Sequence, residues 1–489
     1  MKLKGLGRRL YNIFFHTHTV AGITISAALF IIFYAGSFAL FREEIFRWEN
    51  PTARGLEPVE LEVEKTIAAL RAAEPNLDET KNITIRSGHE EMPFGMVFGA
   101  RTLKDSTNDF FRARVDPAEN YTVTIVEEET TTVGNTLYRL HYFGQIPVIG
   151  LYLSGLVALF FLFATITGVM IHWRNIVSKF YAFSTRGKWK QIWTNAHTVL
   201  GMIGLPFQIV YAVTGAFYGI LILLLIPSAL ILFGGDNNKV IAAVRPAAAI
   251  TVSDSAAIVD FSGVGALIAE AKARYPDAHL RNVRFQNYGK EDGIMNLYFD
   301  DHRTVTGVAE VIYRVHTKEV LFEVGPGKTD YANSVISVIG RLHFATFGGI
   351  GLKVIYFILA MITCFMLLSG VLLWQAARNK RSYTDKERRF HHRVTKVNLA
   401  VCLSLFPAVA TIFLANKLIP FDLPGRTFYV DLAFFSTWLL FILAGLRWND
   451  YRRLNWNFLL LGGSLSILVP IVNGIMTGDW LWNTLAKGW

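Results

Sequence analysis

The sequence predicts a helical membrane bundle of about seven spans, whose four-helix core is built from two internal repeats and carries two small α+β domains outside the membrane. Three observations lead there. Apolar runs of about 20 residues recur along the chain, each long enough to cross a ~30 Å hydrocarbon core as a helix. Basic residues gather in alternate connections between those runs. Two histidine-bearing motifs each occur twice, at matching places relative to the runs.

The first run covers 20–41 within a segment 10–41, and basic Lys2, Lys4, Arg8 and Arg9 precede it. That apolar run is too long for the core of a cleaved signal, so it is expected to remain as an anchor. Residues 42–146 form a polar insert. Leu61–Ala73 is apolar at helical spacing, and 82–86, 92–98, 110–115 and 121–126 alternate as strands do. A helix packed on an antiparallel sheet is the natural reading.

The second span is 147–172, and a basic loop, 173–198, follows with Arg174, Lys179, Arg186, Lys188 and Lys190. The third span is 199–226. A second insert, 235–345, repeats the order of the first: a helix at 261–275, then strands at 281–288, 295–299 and 308–324. Span four is 350–374, and the loop 375–396 carries Arg378, Lys380, Arg381, Lys386, Arg388, Arg389 and Arg393. Spans at 397–416, 428–446 and 458–476, interrupted by Pro407, Gly462-Gly463 and Pro470, complete 397–489 as an appendage of three helices.

Composition agrees with this layout and narrows the chemistry. Of 489 residues, 52% are hydrophobic and 18% charged, too greasy a balance for an ordinary soluble protein. The net charge of +10 sits in the alternate loops rather than on a nucleic-acid-binding face, so the positive-inside rule puts those loops and the N-terminus in the cytoplasm and both inserts outside. Cys364 and Cys402, the only cysteines, fall inside spans, which excludes a disulfide framework, a thiolate zinc site and an iron–sulfur cluster. Gly5-Leu6-Gly7 and Gly348-Gly349-Ile350-Gly351 are not in strand–helix context, so no Rossmann site for NAD or flavin is expected. Trp48, Tyr152, Trp173, Trp374, Trp448 and Trp456 near span ends read as an interfacial belt.

The repeated motifs are specific. Arg139-Leu140-His141-Tyr142-Phe143 returns as Arg341-Leu342-His343-Phe344, with Gly168 and Gly370 both 27 residues beyond the histidine and His172-Trp173 or Leu373-Trp374 closing the segment. His18-Thr19-Val20-Ala21-Gly22 returns as His197-Thr198-Val199-Leu200-Gly201, with Gly36 and Gly215 both 18 residues after the histidine. Together with the insert endings Arg114–Val123 and Tyr313–Leu321, these segments resemble the PepSY-associated transmembrane family over about residues 10–380. The resemblance implies PepSY-like outer domains in the inner membrane of a bacterium. It also implies haem, because members include haem-containing reductases of ferric siderophores.

A histidine in or beside a span is costly unless it has a task. Duplication pairs His141 with His343 at the outer ends of spans two and four, and His18 with His197 at the inner ends of spans one and three. Two imidazoles from facing helices are the axial ligands a haem iron takes. Two b-type haems are therefore expected, since no Cys-x-x-Cys-His is present for covalent attachment. At the inner level His16, His172, His391 and His392 compete, and His172 or His392 could serve with either member of the symmetric pair. His89, His279, His302 and His316 read as solvated surface. The glycines at 22, 36, 168, 201, 215 and 370 would admit a flat macrocycle, though helix packing alone explains small residues too. His141 and His172 on one helix would stand about 46 Å apart at 1.5 Å per residue, a long gap between haems unless the start near Pro147 is irregular.

The reading that follows is a transmembrane electron conduit, taking electrons from an unidentified cytoplasmic or membrane donor to a ferric siderophore or other ferric chelate outside. A second class stays open: a membrane-anchored PepSY protein that binds or regulates, for instance by inhibiting a peptidase, without redox chemistry.

Overall fold

The computed structural model describes residues 7–487 apart from 52–55, 90–92, 104–107, 127–131, 174–177, 179–180, 182–186, 245, 254–255, 260–262, 301–307 and 326–330. Arg174, Lys179, Arg186 and His302, and the expected element starts at Met92 and Phe261, lie outside the described residues. The chain divides into a helical unit (1–45, 131–222 and 350–489) and a sheet unit (46–130 and 223–349).

In the helical unit α1 (Arg8–Ala39) leads, and α2 (Arg42–Glu49) follows it across the boundary into the sheet unit, where α3 (Val63–Ala73) lies. The helical unit resumes with α4 (Val133–His141), α5 (Ile149–His172) and α6 (Trp189–Ile203), which is joined to α7 (Leu205–Phe233). Among the described residues six helices are long and apolar enough to cross a membrane, and α6 with the first part of α7 makes a seventh candidate bent by 69°. That bend corrects the straight third span expected at 199–226. Its cause is local: Gly204 caps α6, and Pro206 has no N–H with which to continue the ladder. Beyond the bend α7 and α5 approach closely at Gly155, where a Cβ would stand 2.6 Å from the Gly219 backbone.

The last spans are α11 (Gly349–Arg378), α12 (Asp385–Leu418), α13 (Arg426–Gly445) and α14 (Tyr451–Thr477), followed by the short α15 (Leu481–Lys487). The sequence treated α12 to α14 as an appendage, and for α12 this is wrong. In α12, 61% of the apolar window is buried, against 39% or less in the other five unbroken spans among the described residues. Its Leu405, Ala408, Val409 and Ile412 share one core with Phe30, Phe33 and Tyr34 of α1, and Asn398 Nδ2 donates to Ser26 Oγ at 2.6 Å. A capping box between Thr384 and Glu387 starts the helix. Pro407 does not interrupt it.

The two inserts are not two separate domains. Their strands form one eight-stranded sheet in the order β4-β3-β2-β1-β5-β6-β7-β8, from β1 (Ile83–Arg86), β2 (Gly95–Thr102), β3 (Asn108–Asp116), β4 (Thr122–Ile125), β5 (His279–Gln286), β6 (Ile294–Asp300), β7 (Val308–Arg314) and β8 (Glu319–Val324). The first strands of the two repeats pair antiparallel, Ile83 opposite Phe285 and Ile85 opposite Val283, so the sheet reads outward from β1–β5 the same way in both directions. Between α7 and β5 come α8 (Asn237–Val244) and α9 (Val264–Arg274). Ile67 and Leu70 of α3 and Leu267 and Ala271 of α9 cover the shared core with Val97, Phe285, Leu297 and Val311. The single strand expected over 308–324 is two, split by a turn in which Lys318 takes φ 60°. The last helix of this unit is α10 (Tyr331–Phe344).

Candidate functional site

His18 on α1 and His197 on α6 face each other, their ring centroids 6.0 Å apart and their planes at 68°. Each ring is held in the same way. His18 Nδ1 lies 2.8 Å from the Ala164 carbonyl oxygen of α5, and His197 Nδ1 lies 3.0 Å from that of Met366 of α11. In both cases a glycine stands four residues beyond that carbonyl, one helical turn along the same face. A Cβ at Gly168 would come within 3.2 Å of His18 Cε1, and one at Gly370 within 3.0 Å of His197 Cε1 and Nδ1. The glycine opens the face so that the ring can reach the carbonyl. A carbonyl on Nδ1 fixes the neutral tautomer that carries its proton there and leaves Nε2 as the nitrogen with a lone pair.

Between the two histidines lies a cavity of about 430 Å³. Gly22 and Gly201, one turn past each histidine, line it, and a Cβ at either would meet nothing within 4 Å. Lys190 and Arg378 contribute cations to the lining, at the end where the basic connections lie. Ser26, Leu29 and Gln208 line it from helix positions further into the spans. Gln208 is 3% exposed, and its Nε2 has no hydrogen-bond partner among the described residues. His172, the last residue of α5, also lines the cavity, so one of the expected competitors is at hand. His392 is not. Its Nδ1 lies 2.6 Å from the Tyr451 hydroxyl oxygen with the rings stacked, and His391 packs between Trp374 and Tyr383. His16 is exposed beside Phe15.

His141 uses the same device a third time. Its Nδ1 is 2.8 Å from the Ile32 carbonyl oxygen of α1, and a Cβ at Gly36, four residues on, would fall 2.5 Å from that nitrogen. Burial holds this imidazole below its ordinary pKa, against the opposing pull of the Ile32 carbonyl. The sequence placed His141 and His343 at the outer ends of spans two and four, and the structure corrects both. His141 closes α4, after which Phe143 (φ 57°) and Val148 (φ 63°) turn the chain into α5. His343 stands in the last turn of α10, edge-on to Phe344, and Ala345 (φ 53°) breaks that helix before α11. The 46 Å estimate therefore lapses, because His141 and His172 are on different helices. His141 belongs to the helical unit and His343 to the sheet unit, where neighbouring Arg341 pairs with Asp300 of β6.

Gly215, the counterpart of Gly36, meets Ala158 instead of a ring. His279 and His316 are exposed as expected, and His89 is half-buried. Among the described residues no three of His, Cys, Asp and Glu converge as the ligands of a bare metal ion would.

The sequence matches the PepSY-associated TM region over residues 15–377. The chain belongs to the PepSY-associated TM family. No curated protein matches it. The family match runs from α1 to the last turn of α11 and so takes in both copies of each histidine motif, while α12 to α15 lie beyond it. Two features of the site escaped sequence reasoning, the Gln208 amide and the carbonyl that seats each ring. The second had a signal: Ala164 and Gly168 stand to each other as Met366 and Gly370 do, at corresponding places in the two repeats.

Proposed function

We propose that this member of the PepSY-associated TM family is a haem-dependent ferric-siderophore reductase that carries electrons across the inner membrane, with an inner haem held between His18 and His197. The observation that carries the reading is that histidine pair, seated by carbonyls on either side of a cavity. A metal about 2 Å from each imidazole nitrogen, with roughly 1 Å more to each ring centre, sets two centroids about 6 Å apart. The observed 6.0 Å fits. The volume is in the range of cofactor pockets, ~300–1,000 Å³. Gly22 and Gly201 leave the cavity walls flat, which suits a planar macrocycle, and Lys190 and Arg378 are the partners its carboxylates would take.

A haem held there supplies a one-electron carrier. The chain's own part would be to aim both imidazoles through the Ala164 and Met366 carbonyls and to exclude bulk water with Leu29, Phe161 and Leu367. The second haem of the proposal rests on the sequence repeat, which assigns it to His141 and His343. The basic connections support a cytoplasmic position for the His18/His197 end, and the sheet unit is then periplasmic.

The visible spectrum of the purified protein is the test. A Soret band with α and β bands on reduction is expected, and His18→Ala or His197→Ala should each remove the same haem. Colourless wild-type protein, purified from cells supplied with haem, would sink the proposal.

A further inference from the structure

The helices α12 to α14 lie beyond the family match, and the structure gives two of them a task on α4, which carries His141. A helix of nine residues is too short to hold itself in place, so α4 is positioned by what it touches. Its C-terminal end is tied to α1 through His141 and Ile32. Its N-terminal end is tied to the corner between α12 and α13. Asn416 Nδ2, in the last turn of α12, donates to Thr132 Oγ1 at 2.8 Å, and the Thr136 hydroxyl donates to Asp431 Oδ1 on α13.

The corner is itself braced. Arg426, 8% exposed, donates to the carbonyls of Asn416 and Ile419 and lays its guanidinium 4.4 Å from the centre of the Phe421 ring. Lys417, 1% exposed, comes to the same ring at 5.8 Å. A carboxylate such as Asp431 inside a span is costly and normally faces the bundle for a reason. Here it faces a threonine on the histidine helix. The second repeat lacks the counterpart: aligned on His141 and His343, Val338 stands where Thr136 does.

We propose that the α12–α13 corner is a positioning device, in which Asn416 and Asp431 set α4 so that His141 stays seated on Ile32 and Gly36. The inference rests on the reading of His141 as a haem ligand. Ligands need placement within about 0.5 Å, and on its C-terminal side α4 is not continued by a helix that could provide it, since the chain turns immediately after His141.

The test is made on the full-length, haem-loaded protein with Asn416→Ala, Asp431→Ala, their double variant, Asp431→Asn and His141→Ala. Haem per chain and the low-spin electron paramagnetic resonance signals are read. His141→Ala is expected to lose one of two haems, and the double variant to lose the same one, roughly halving haem content while the signal of the His18/His197 haem persists. Asp431→Asn keeps an accepting oxygen for Thr136 and should retain both. A double variant with full loading and unchanged signals overturns the inference. So does loss of both haems together, which would make the corner a general prop of the fold. If His141→Ala itself keeps both haems, the failure lies in the ligand assignment, and the inference falls with it.

Discussion

Leucine at both Gly22 and Gly201 is the perturbation that separates a binding cavity from a packing gap. A Cβ at either position meets nothing within 4 Å, so the larger side chains enter the cavity rather than a neighbour. Glycine inside a helix costs about 0.5–1 kcal/mol relative to alanine, and leucine is nearly as good a helix former as alanine. The fold should therefore be as stable as before or gain slightly. The site should not survive: a buried leucine fills on the order of 100–150 Å³, so two of them take about half of the 430 Å³ or more. Haem retention should fall at least tenfold, about 1.4 kcal/mol or more. Haem per chain by the pyridine haemochrome method and thermal unfolding in detergent measure the two quantities separately. Full haem content in the double variant would refute the placement of the cofactor. A large loss of thermal stability without haem would refute the claim that these glycines face open space.

Two further outcomes are expected. Ser26→Ala leaves the Asn398 amide without its acceptor in the core, and a double-mutant cycle with Asn398→Leu should return a coupling of about 0.6–1.7 kcal/mol in unfolding experiments, where a value near zero would remove the bond from the account of α12. In the sheet unit, burial and the hydrogen bond to Glu323 raise the Tyr275 pKa. The neutral phenol is then favoured by the folded state, so its contribution is present below the unfolded value near ~10 and lost as pH rises above it; Tyr275→Phe should flatten that alkaline loss of stability.

Hydropathy and repetition made the spans and the His18/His197 pair legible, because both signals are carried by local sequence and by a simple recurrence. What they could not carry was relative position. A span is apolar on every face, so nothing in α12 marks it as the buried centre of the unit. The joining of the inserts through Ile83 and Phe285 depends on partners far apart in the chain, and strand patterns do not name their partners. The breaks before α5 and α11 were foreshadowed by Pro147 and by Gly348-Gly349, yet apolar residues run almost continuously across them. The seating carbonyls are backbone atoms, which leave no mark except the glycine that clears the way to them.

The duplicated frame also shows where its halves have parted, and Gln208 is the sharpest instance. It stands 11 residues after His197, as Leu29 stands 11 residues after His18, and both line the cavity. A symmetric pair of histidines thus has an apolar wall on one side and an amide on the other. A buried donor left without a partner costs about 1–3 kcal/mol, and Gln208 Nε2 is such a donor among the described residues. A haem whose carboxylates take Lys190 and Arg378 would turn its methyl and vinyl edge towards Leu29 and Gln208, and flipping its faces exchanges which substituents meet the amide and which the leucine. One orientation should then be preferred over the other. Gln208→Leu makes the two walls alike, so the paramagnetic NMR spectrum should pass from one set of haem methyl resonances to two of comparable intensity. A single unchanged set in the variant would mean that orientation is decided elsewhere, with Lys190 and Arg378 as the remaining asymmetric contacts.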